Sequence, residues 1–267
     1  MIIRKRIISL LLISIVMIGW GMSLILYRYY QPAKVQPIYA ITPKHSDDTI
    51  RILFMGDSWA AYHADYDTLL TRLVSSNIGK PCKVKSIGYV GAKSKEIYER
   101  LFTNTRPYIM EHPDYCIISA GINDAVAKMG TNYYKTNYSY IVIFLLSQRI
   151  IPVVLDMPNV DYRAVYSRET LTEKMRHNVS SIVTGANFYS FQTYKAALFD
   201  VIEQSEWQDS LVYIDSGKWM PSYNRSDFYC PDGIHLNATG YQRLDSCLSK
   251  EIQQHRNKNS IETDSCF

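Results

Sequence analysis

The hydrophobic positions of this chain fall into short apolar runs that alternate with longer amphipathic stretches. The apolar runs predict buried strands at residues 50–55, 82–87, 115–119, 151–156 and 211–214. The amphipathic stretches predict helices at residues 66–76, 93–103, 137–148, 168–184, 192–205 and 238–254. Strands separated by helices of this length are typical of βαβ units. We therefore expect an α/β domain built on a mainly parallel, five-stranded sheet with helices on both faces.

A further apolar stretch, at the N-terminus, is long enough to cross a membrane. Residues 7–27 contain no charged side chain, and about 20 apolar residues suffice for a helix that spans the hydrocarbon core. Arg4, Lys5 and Arg6 precede this stretch, whereas Arg28 alone follows it closely. The positive-inside tendency then predicts a cytoplasmic N-terminus, a transmembrane anchor and an extracytoplasmic domain, periplasmic or at the cell surface.

A cleaved signal peptide is the alternative interpretation of the same stretch. Its apolar core would be residues 7–18, and Gly19-Trp20-Gly21 would supply the small residues of a cleavage site. Cleavage there would give a secreted protein. The apolar run resumes over residues 22–26, which favours the uncleaved anchor.

Composition divides the chain into four parts. The predicted parts are an anchor or signal peptide at 1–28, a linker at 29–49, the α/β domain at 50–256 and a tail at 257–267. Pro32, Pro37 and Pro43 interrupt the linker among polar and aromatic residues. This composition predicts a semi-extended spacer that holds the domain away from the bilayer.

The net charge of +4 does not belong to the folded domain. The chain has 29 basic and 25 acidic residues, and residues 1–49 hold six of the basic and two of the acidic ones. Residues 50–267 therefore contain 23 of each. A domain without excess positive charge indicates no nucleic-acid surface. The basic excess belongs to the segment that is expected to meet the membrane.

Three short motifs follow the first three predicted strands. Gly56-Asp57-Ser58 follows the first strand, Gly91 the second, and Gly121-Ile122-Asn123-Asp124 the third. In a parallel sheet the carboxyl ends of the strands share one edge, and ligands bind there. The three motifs are therefore expected to lie together.

A fourth motif, Asp232-Gly233-Ile234-His235, completes a set of groups for acyl transfer. A serine hydroxyl such as that of Ser58 is a poor nucleophile until a base removes its proton. His235 is the candidate base, and Asp232 can accept the imidazole N–H and so fix its tautomer and orientation.

Stabilisation of the tetrahedral oxyanion needs hydrogen-bond donors. The candidates are the backbone N–H of Ser58, the backbone N–H of Gly91 and the side-chain amide of Asn123. A glycine suits this role because no Cβ obstructs the approach of substrate to its N–H. Gly88, in the same loop, is an alternative to Gly91.

The four motifs, in this order, resemble the four sequence blocks of the SGNH (GDSL-like) hydrolase superfamily. Ser58, Gly91, Asn123 and His235 stand at its name-giving positions, and the resemblance spans residues 56–235. It implies a flavodoxin-like, three-layer α/β/α sandwich and a Ser-His-Asp triad. It also implies that neither a metal nor an organic cofactor takes part.

Three further residues are candidates for binding substrate. Trp59 replaces the leucine of the namesake motif, and its ring can line the pocket or pack beneath it. His63 follows closely after Ser58. Asp156 ends the fourth predicted strand at the same edge, where capping a turn is its other possible role.

The five cysteines show no CxxC pair and no zinc-ligand spacing. Cys116 lies within an apolar strand and is expected to be a buried thiol. A disulfide from Cys230 to Cys247 or Cys266 could brace the Asp232 loop in an oxidising compartment.

These features together predict a membrane-anchored, extracytoplasmic serine esterase that hydrolyses short acyl esters, above all O-acetyl groups on carbohydrate. Its partners would be the ester substrate and, through the N-terminal helix, the membrane. Three alternatives remain open: a polysaccharide O-acyltransferase, a lysophospholipase-like lipid esterase and a non-catalytic carbohydrate-binding domain.

Overall fold

A computed structural model of the chain describes residues 2–41, 43–157, 160–187, 191–203, 207, 210–220 and 225–264. The strands of this described part are β1 (Ile50–Gly56), β2 (Cys82–Gly88), β3 (Tyr115–Ser119), β4 (Ile151–Leu155) and β5 (Val212–Ile214). They form one parallel sheet in the order β2-β1-β3-β4-β5. The predicted five-stranded parallel sheet is confirmed, with each strand within one residue of its expected bounds.

The described helices begin with α1 (Ile2–Tyr30), α2 (Ser58–His63), α3 (Asp67–Ile78), α4 (Ser94–Arg100), α5 (Arg106–Met110), α6 (Ile122–Val126) and α7 (Thr131–Ser147). They continue with α8 (Tyr162–Ser167), α9 (Leu171–Thr184), α10 (Phe191–Ile202), α11 (Ser216–Trp219), α12 (Arg225–Phe228) and α13 (Ala238–Asp264). α3 packs against α13, while α7 packs against α4 and α10. Two hydrophobic clusters separate these helix layers from the sheet, so the fold is the three-layer α/β/α sandwich.

The central strand β1 shows why the sheet is covered on both faces. Leu53 and Met55 belong to the cluster under α4, α7 and α10, whereas Ile52 and Phe54 belong to the cluster under α3 and α13. Successive side chains of a strand point to opposite faces. A continuous apolar run is therefore what a strand buried on both faces needs.

The observed helix bounds differ from the predicted ones where a helix is too short to show a periodic pattern of apolar residues, or where it continues past the end of the predicted domain. α2 and α6 have six and five residues, too few to show a helical period. α7 begins at Thr131 because Tyr133 and Tyr134 extend its buried face. α13 continues past the predicted end at 254 to Asp264.

The N-terminal helix α1 contains a candidate membrane span at Leu12–Tyr30, with a mean hydropathy of 1.5; within this span only the last residue, Tyr30, is buried against the domain. Nineteen residues of helix extend for about 28 Å, close to the thickness of the hydrocarbon core. By length and composition this helix can cross a membrane, and a signal sequence shares the same properties.

The segment that follows α1 lies along the domain, so its predicted role as a spacer is wrong. The backbone N–H of Ala33 donates to Asn137 Oδ1 at 2.8 Å, and that of Gln36 donates to the Tyr98 hydroxyl at 2.9 Å. The hydroxyl of Tyr39 donates to the backbone carbonyl oxygen of Leu101, the residue that follows α4. Prolines keep the segment out of regular structure, but its free backbone groups find partners on α4 and α7.

The described cysteines Cys82, Cys116, Cys230 and Cys247 are free thiols, and Cys116 is buried as expected. A disulfide between Cys230 and Cys247 is therefore not formed. The Cys230 thiol instead contacts the backbone carbonyl of Leu236 at 3.5 Å. The alternative partner, position 266, lies outside the described residues.

Candidate active site

The loops that carry the sequence motifs converge at one edge of the sheet. Gly56, at the end of β1, pairs in register with Gly88 of β2 and Ser119 of β3. Because these strands are parallel, the following loops leave the sheet at its carboxyl edge, beside the point where the strand order reverses. Ser58 and Asn123 therefore stand on neighbouring loops.

Ser58 is the first residue of α2, and a buried carboxylate fixes the turn that presents it. Its Oγ lies 2.9 Å from His235 Nε2. Asp57 Oδ1 accepts hydrogen bonds from the backbone N–H of Trp59 at 3.0 Å and from the Ser119 hydroxyl at 2.6 Å. Burial raises the pKa of Asp57 to about 6, although these hydrogen bonds oppose the shift. Asp57 thus braces the strand-to-helix turn.

Asp232 and His235 lie on the loop between α12 and α13 and are hydrogen-bonded to each other. His235 Nδ1 lies 2.6 Å from Asp232 Oδ2. Asp232 Oδ1 accepts from the backbone N–H of Ile234 at 2.9 Å and of His235 at 3.0 Å. Partial burial raises the pKa of Asp232, but these hydrogen bonds outweigh it and hold the pKa below its ordinary value.

The charge of this carboxylate settles the tautomer of the imidazole. An ionised carboxylate only accepts hydrogen bonds, so His235 Nδ1 carries a proton toward Asp232. His235 Nε2 is then free to accept the proton of the Ser58 hydroxyl. The three side chains form one hydrogen-bonded series that can activate a nucleophile.

Trp59 lies beneath the His235 loop, which corrects its suggested role in binding substrate. The side chain is 2% exposed, and its indole N–H donates to the carbonyl oxygen of Ile234 at 3.0 Å. The Tyr241 hydroxyl on α13 donates to the backbone carbonyl of Trp59 at 3.0 Å. The aromatic ring therefore supports the loop from within the core.

His63 is also buried, and the suggestion that it is a pocket residue is wrong. Its Nε2 lies 2.7 Å from Asp245 Oδ1, and its Nδ1 lies 2.8 Å from Ser86 Oγ and 3.3 Å from Asp67 Oδ1. Burial lowers the pKa of His63, but the hydrogen bonds to Asp245 and Asp67 outweigh it and hold the pKa above its ordinary value. The imidazole joins α2, α3, β2 and α13 through a network in which His63 and Asp245 are buried and Asp67 is partly exposed.

Asp156, at the carboxyl end of β4, is buried and holds a turn. Its Oδ2 accepts from the backbone N–H of Ser216 at 3.2 Å and from the Ser216 hydroxyl at 2.5 Å. Lys195 Nζ lies 2.5 Å from the same oxygen. The residue is 2% exposed. The turn-capping alternative is therefore the one that the structure shows.

Asn123 lies in α6, and one of its two side-chain amide protons is available to a ligand. Its Nδ2 donates one proton to the carbonyl oxygen of Ala92 at 3.0 Å, and an amide nitrogen carries two. The neighbouring buried Asp124 accepts from the backbone N–H of Ser94 at 2.9 Å and from its hydroxyl at 2.6 Å. These bonds join the loop after β2 to α6.

The structure distinguishes the two glycines proposed as the third oxyanion donor. A Cβ on Gly88 would lie 1.9 Å from the backbone nitrogen of Ala61, so Gly88 packs directly against α2. Gly91 has a φ of +77° and no heavy atom within 4 Å of the position of a Cβ. Gly91 lines the same cleft as Asn123, which favours it as the donor.

That cleft has a volume of about 380 Å³ and reaches from Gly91 and Asn123 to Ile234, beside His235. Its remaining walls come largely from α8, α9 and the turn between them. The charged or ionisable side chains in these walls are Lys93, Arg168, Glu169, Glu173, Arg176 and His177. A larger groove of about 500 Å³, between α11 and α13, contains none of the motif residues.

The sequence does not indicate that α8 and α9 form walls of the cleft. A capping box, in which Thr170 and Glu173 exchange hydrogen bonds, marks the start of α9 and is readable from sequence. It indicates a helix but not the position of that helix beside Asn123. Within the described residues, no group of three or more His, Cys, Asp or Glu side chains is arranged to hold a metal ion.

Comparison with known proteins agrees with this arrangement. The profile of the GDSL-like lipase/acylhydrolase family matches residues 54–243, which include all four motifs. Among curated proteins, no sequence matches the chain.

Solved structures share the fold. The lipase/acylhydrolase from Enterococcus faecalis has a TM-score of 0.57 and 21% identity, over 77% of this chain and 96% of that chain. Axe2, an acetylxylan esterase from Geobacillus stearothermophilus, has a TM-score of 0.54 and 14% identity, over 76% of this chain and 94% of that chain. Similarity at these identities supports the common architecture.

Proposed function

Since this chain belongs to the GDSL-like lipase/acylhydrolase family and is a carboxylic ester hydrolase, we propose that it is a membrane-anchored, extracytoplasmic serine esterase acting on O-acetyl groups of carbohydrate. The observation that carries this proposal is the hydrogen-bonded series from Asp232 through His235 to Ser58, with separations of 2.6 and 2.9 Å. A polar cleft lined by Gly91 and Asn123 reaches Ile234, the residue that precedes His235.

The proposed reaction begins with attack of Ser58 Oγ on the ester carbonyl carbon, while His235 Nε2 takes the hydroxyl proton. Asp232 stabilises the imidazolium that forms. Collapse of the tetrahedral intermediate breaks the bond to the alcohol, which leaves with the proton from His235. Water then attacks the acyl-enzyme with His235 again as base, and the acid and free Ser58 are released.

The negative charge of both tetrahedral intermediates falls on the former carbonyl oxygen. The second proton of the Asn123 amide, the Gly91 N–H and the Ser58 N–H are the proposed donors to that oxygen. One such donor contributes about 2.7–4 kcal/mol to stabilisation of the transition state. The bond from Asn123 to the Ala92 carbonyl holds the amide in place before substrate arrives.

The composition of the cleft supports a short acyl group and a polar alcohol. Long acyl chains are bound by predominantly apolar walls, whereas this cleft presents Lys93, Glu173 and Arg176 among other charged side chains. A protein of the same fold is an acetylxylan esterase, which also favours an acetylated sugar.

Membrane anchoring is proposed from α1. Its span Leu12–Tyr30 has the length and hydropathy of a transmembrane helix, and Arg4, Lys5 and Arg6 precede it. Basic residues are retained on the cytoplasmic side, so the domain would be exported.

The test is hydrolysis of p-nitrophenyl esters from acetate to dodecanoate by the full chain in detergent, followed by release of acetate from acetylated xylo-oligosaccharides. We expect acetate to be preferred and Ser58→Ala to abolish turnover while leaving the circular dichroism spectrum unchanged. A dodecanoate optimum would replace the carbohydrate ester with a lipid. Equal turnover by Ser58→Ala would refute the proposed nucleophile.

A further inference from the structure

Helix α9 carries an apolar face that the domain leaves uncovered, here called the α9 stripe. Its members and their exposed fractions are Leu171 76%, Met175 63%, Val179 39%, Ile182 84% and Val183 51%. Intervals of four residues from Leu171 through Met175 and Val179 to Val183, and of three from Val179 to Ile182, place them along one side of the helix. His177 and Ser180, on the opposite side, are buried. A continuous exposed apolar face of this kind marks a protein or membrane contact.

The α9 stripe lies on the same helix that receives the end of α1. The Tyr30 hydroxyl lies 2.6 Å from Ser180 Oγ of α9 in a buried contact. Tyr30 also packs with Ala127, Met129 and Tyr133 at the base of α7. The last residue of α1 is therefore fixed to the buried side of α9, the helix whose other side carries the α9 stripe.

The end of α1 also carries the residue types that mark a membrane surface. Tyr27, Tyr29 and Tyr30 occupy its last turn, and tyrosine is enriched where a transmembrane helix leaves the hydrocarbon core. A rise of 1.5 Å per residue separates Tyr27 from Tyr30 by about 4.5 Å. The domain thus begins at the level of the lipid headgroups.

Charged side chains beside the α9 stripe suit the same position. Lys174 is exposed on α9, as is Arg176, which also lines the cleft. Basic residues that flank an apolar helix face are attracted to anionic headgroups. On the other side of α9, Glu173 and His177 line the catalytic cleft. One helix thus forms a wall of the cleft and carries the uncovered apolar face.

We propose that the α9 stripe inserts into the headgroup region of the bilayer that α1 spans, so that the cleft opens at the membrane surface. The inference rests on the membrane anchoring proposed above. Lipid is favoured over a protein partner because the contact between Tyr30 and Ser180 already holds α9 beside the point where α1 leaves the bilayer. The substrates reached would be esters held close to that surface.

The test places a tryptophan in the α9 stripe of the full chain. Met175→Trp and the control Met110→Trp, each compared with the unsubstituted protein, are reconstituted in vesicles of phosphatidylcholine and phosphatidylglycerol with brominated acyl chains. Met110 is a matched control because it is 45% exposed and ends α5, which leads into the amino end of β3. Unsubstituted protein corrects for the four native tryptophans.

We expect the added emission of Met175→Trp to shift to shorter wavelength and to be mostly lost in brominated vesicles, because interfacial helices enter about 5–10 Å into the headgroup and acyl boundary. Met110→Trp should show neither change. A blue shift without bromine quenching would mean that protein, such as a second copy of this chain, covers the face, and would overturn the inference.

Two measurements on the same vesicles separate this inference from the proposed function. If alkaline carbonate leaves the protein in the vesicles, and p-nitrophenyl acetate is hydrolysed with dependence on Ser58, then unquenched Met175→Trp overturns the α9 inference alone. Release of the protein by carbonate would overturn the anchoring and the inference together, while leaving the serine esterase activity standing.

Discussion

The indole N–H of Trp59 donates a hydrogen bond to the carbonyl oxygen of Ile234 at 3.0 Å. Trp59 follows the candidate nucleophile and Ile234 precedes the candidate base. This bond therefore connects α2, which begins with Ser58, to the loop that carries His235. The contact of Trp59 with Trp219, at a ring separation of 6.1 Å, adds packing but no further bond to the loop.

Replacement of Trp59 by Phe should lower kcat by more than the loss of packing alone would, because it also removes the hydrogen bond to Ile234. The loss of the hydrogen bond to the Ile234 carbonyl is expected to lower the free energy of unfolding by about 1–3 kcal/mol. The resulting displacement of His235 is expected to lower kcat by about 10-fold to 100-fold. Urea unfolding and ester kinetics measure the two effects. Trp219→Phe, which keeps the hydrogen bond, is the control; an equal loss of kcat there would attribute the effect to packing.

Asp232→Asn should leave the fold intact and remove most activity. An asparagine amide can donate to His235 Nδ1, which favours the tautomer with the proton on Nε2 and opposes abstraction from Ser58. A loss of about 10⁴-fold in kcat is expected, with KM changed little. Steady-state kinetics test this prediction. The same substitution at Asp227, in the preceding helix α12, is the control. Retention of activity within tenfold would show that Asp232 does not orient the base.

Asn123→Ala should lower kcat by about 10²-fold to 10³-fold, because one oxyanion donor is lost. The loss should appear in kcat and kcat/KM alike, since the donor acts on the charge of the transition state. Asn104→Ala, in the exposed turn after α4, serves as the matched control. A rise in KM without a fall in kcat would instead assign Asn123 to substrate binding.

Asp124→Asn should disturb the oxyanion loop without touching substrate. The carboxylate accepts two hydrogen bonds from Ser94, and an asparagine has only one oxygen to receive them. We expect about a tenfold fall in kcat, equivalent to about 1.4 kcal/mol. Ser94→Ala should have a similar effect, and the double variant should lose little more than either single one. Additive losses would mean that the two residues act independently.

The buried network of His63 should make stability fall as pH rises. The pKa of His63 is raised in the folded protein, above an unfolded value of about 6.5. Its contribution is therefore complete below pH 6.5 or so and is lost as pH passes through the folded pKa.

His63→Gln should accordingly cost more at low pH than at high pH. Breaking a buried charge pair is expected to cost about 3–5 kcal/mol, and the difference from the unsubstituted protein should shrink at alkaline pH. Chemical unfolding across the pH range measures it. His255→Gln provides a contrast, since burial lowers the pKa of His255 and reverses the expected slope. A difference independent of pH would show that folding leaves the pKa of His63 unchanged, which would contradict the prediction.

The sequence predicted the sheet well because each strand is a continuous apolar run covered on both faces. β3 at Tyr115–Ser119 has the predicted bounds, and the three motifs follow their strands to one edge. The site was likewise readable, since Asp232 and His235 are neighbours in sequence and their contact is local. The roles of Trp59, His63 and Asp156 were not readable, because burial depends on which helices pack over them.

The walls of the cleft show the same limit. Arg176 and His177 belong to a helix that was predicted, yet nothing in the local pattern indicates that α9 lies beside Asn123. The path of residues 29–49 was missed for a related reason: side chains on α4 and α7, distant in sequence, supply its hydrogen-bond partners. Local periodicity identifies elements, whereas tertiary contacts decide what those elements face.

Ser58 and His235 are separated by 177 positions in the chain. During synthesis the serine therefore emerges long before its base, and it stays unreactive until α13 has docked against α3. A chain that still lacks its C-terminal part cannot form the contact between Ser58 and His235. In refolding experiments, recovery of turnover should mark the last step of assembly, so catalysis serves as a reporter of the completed domain.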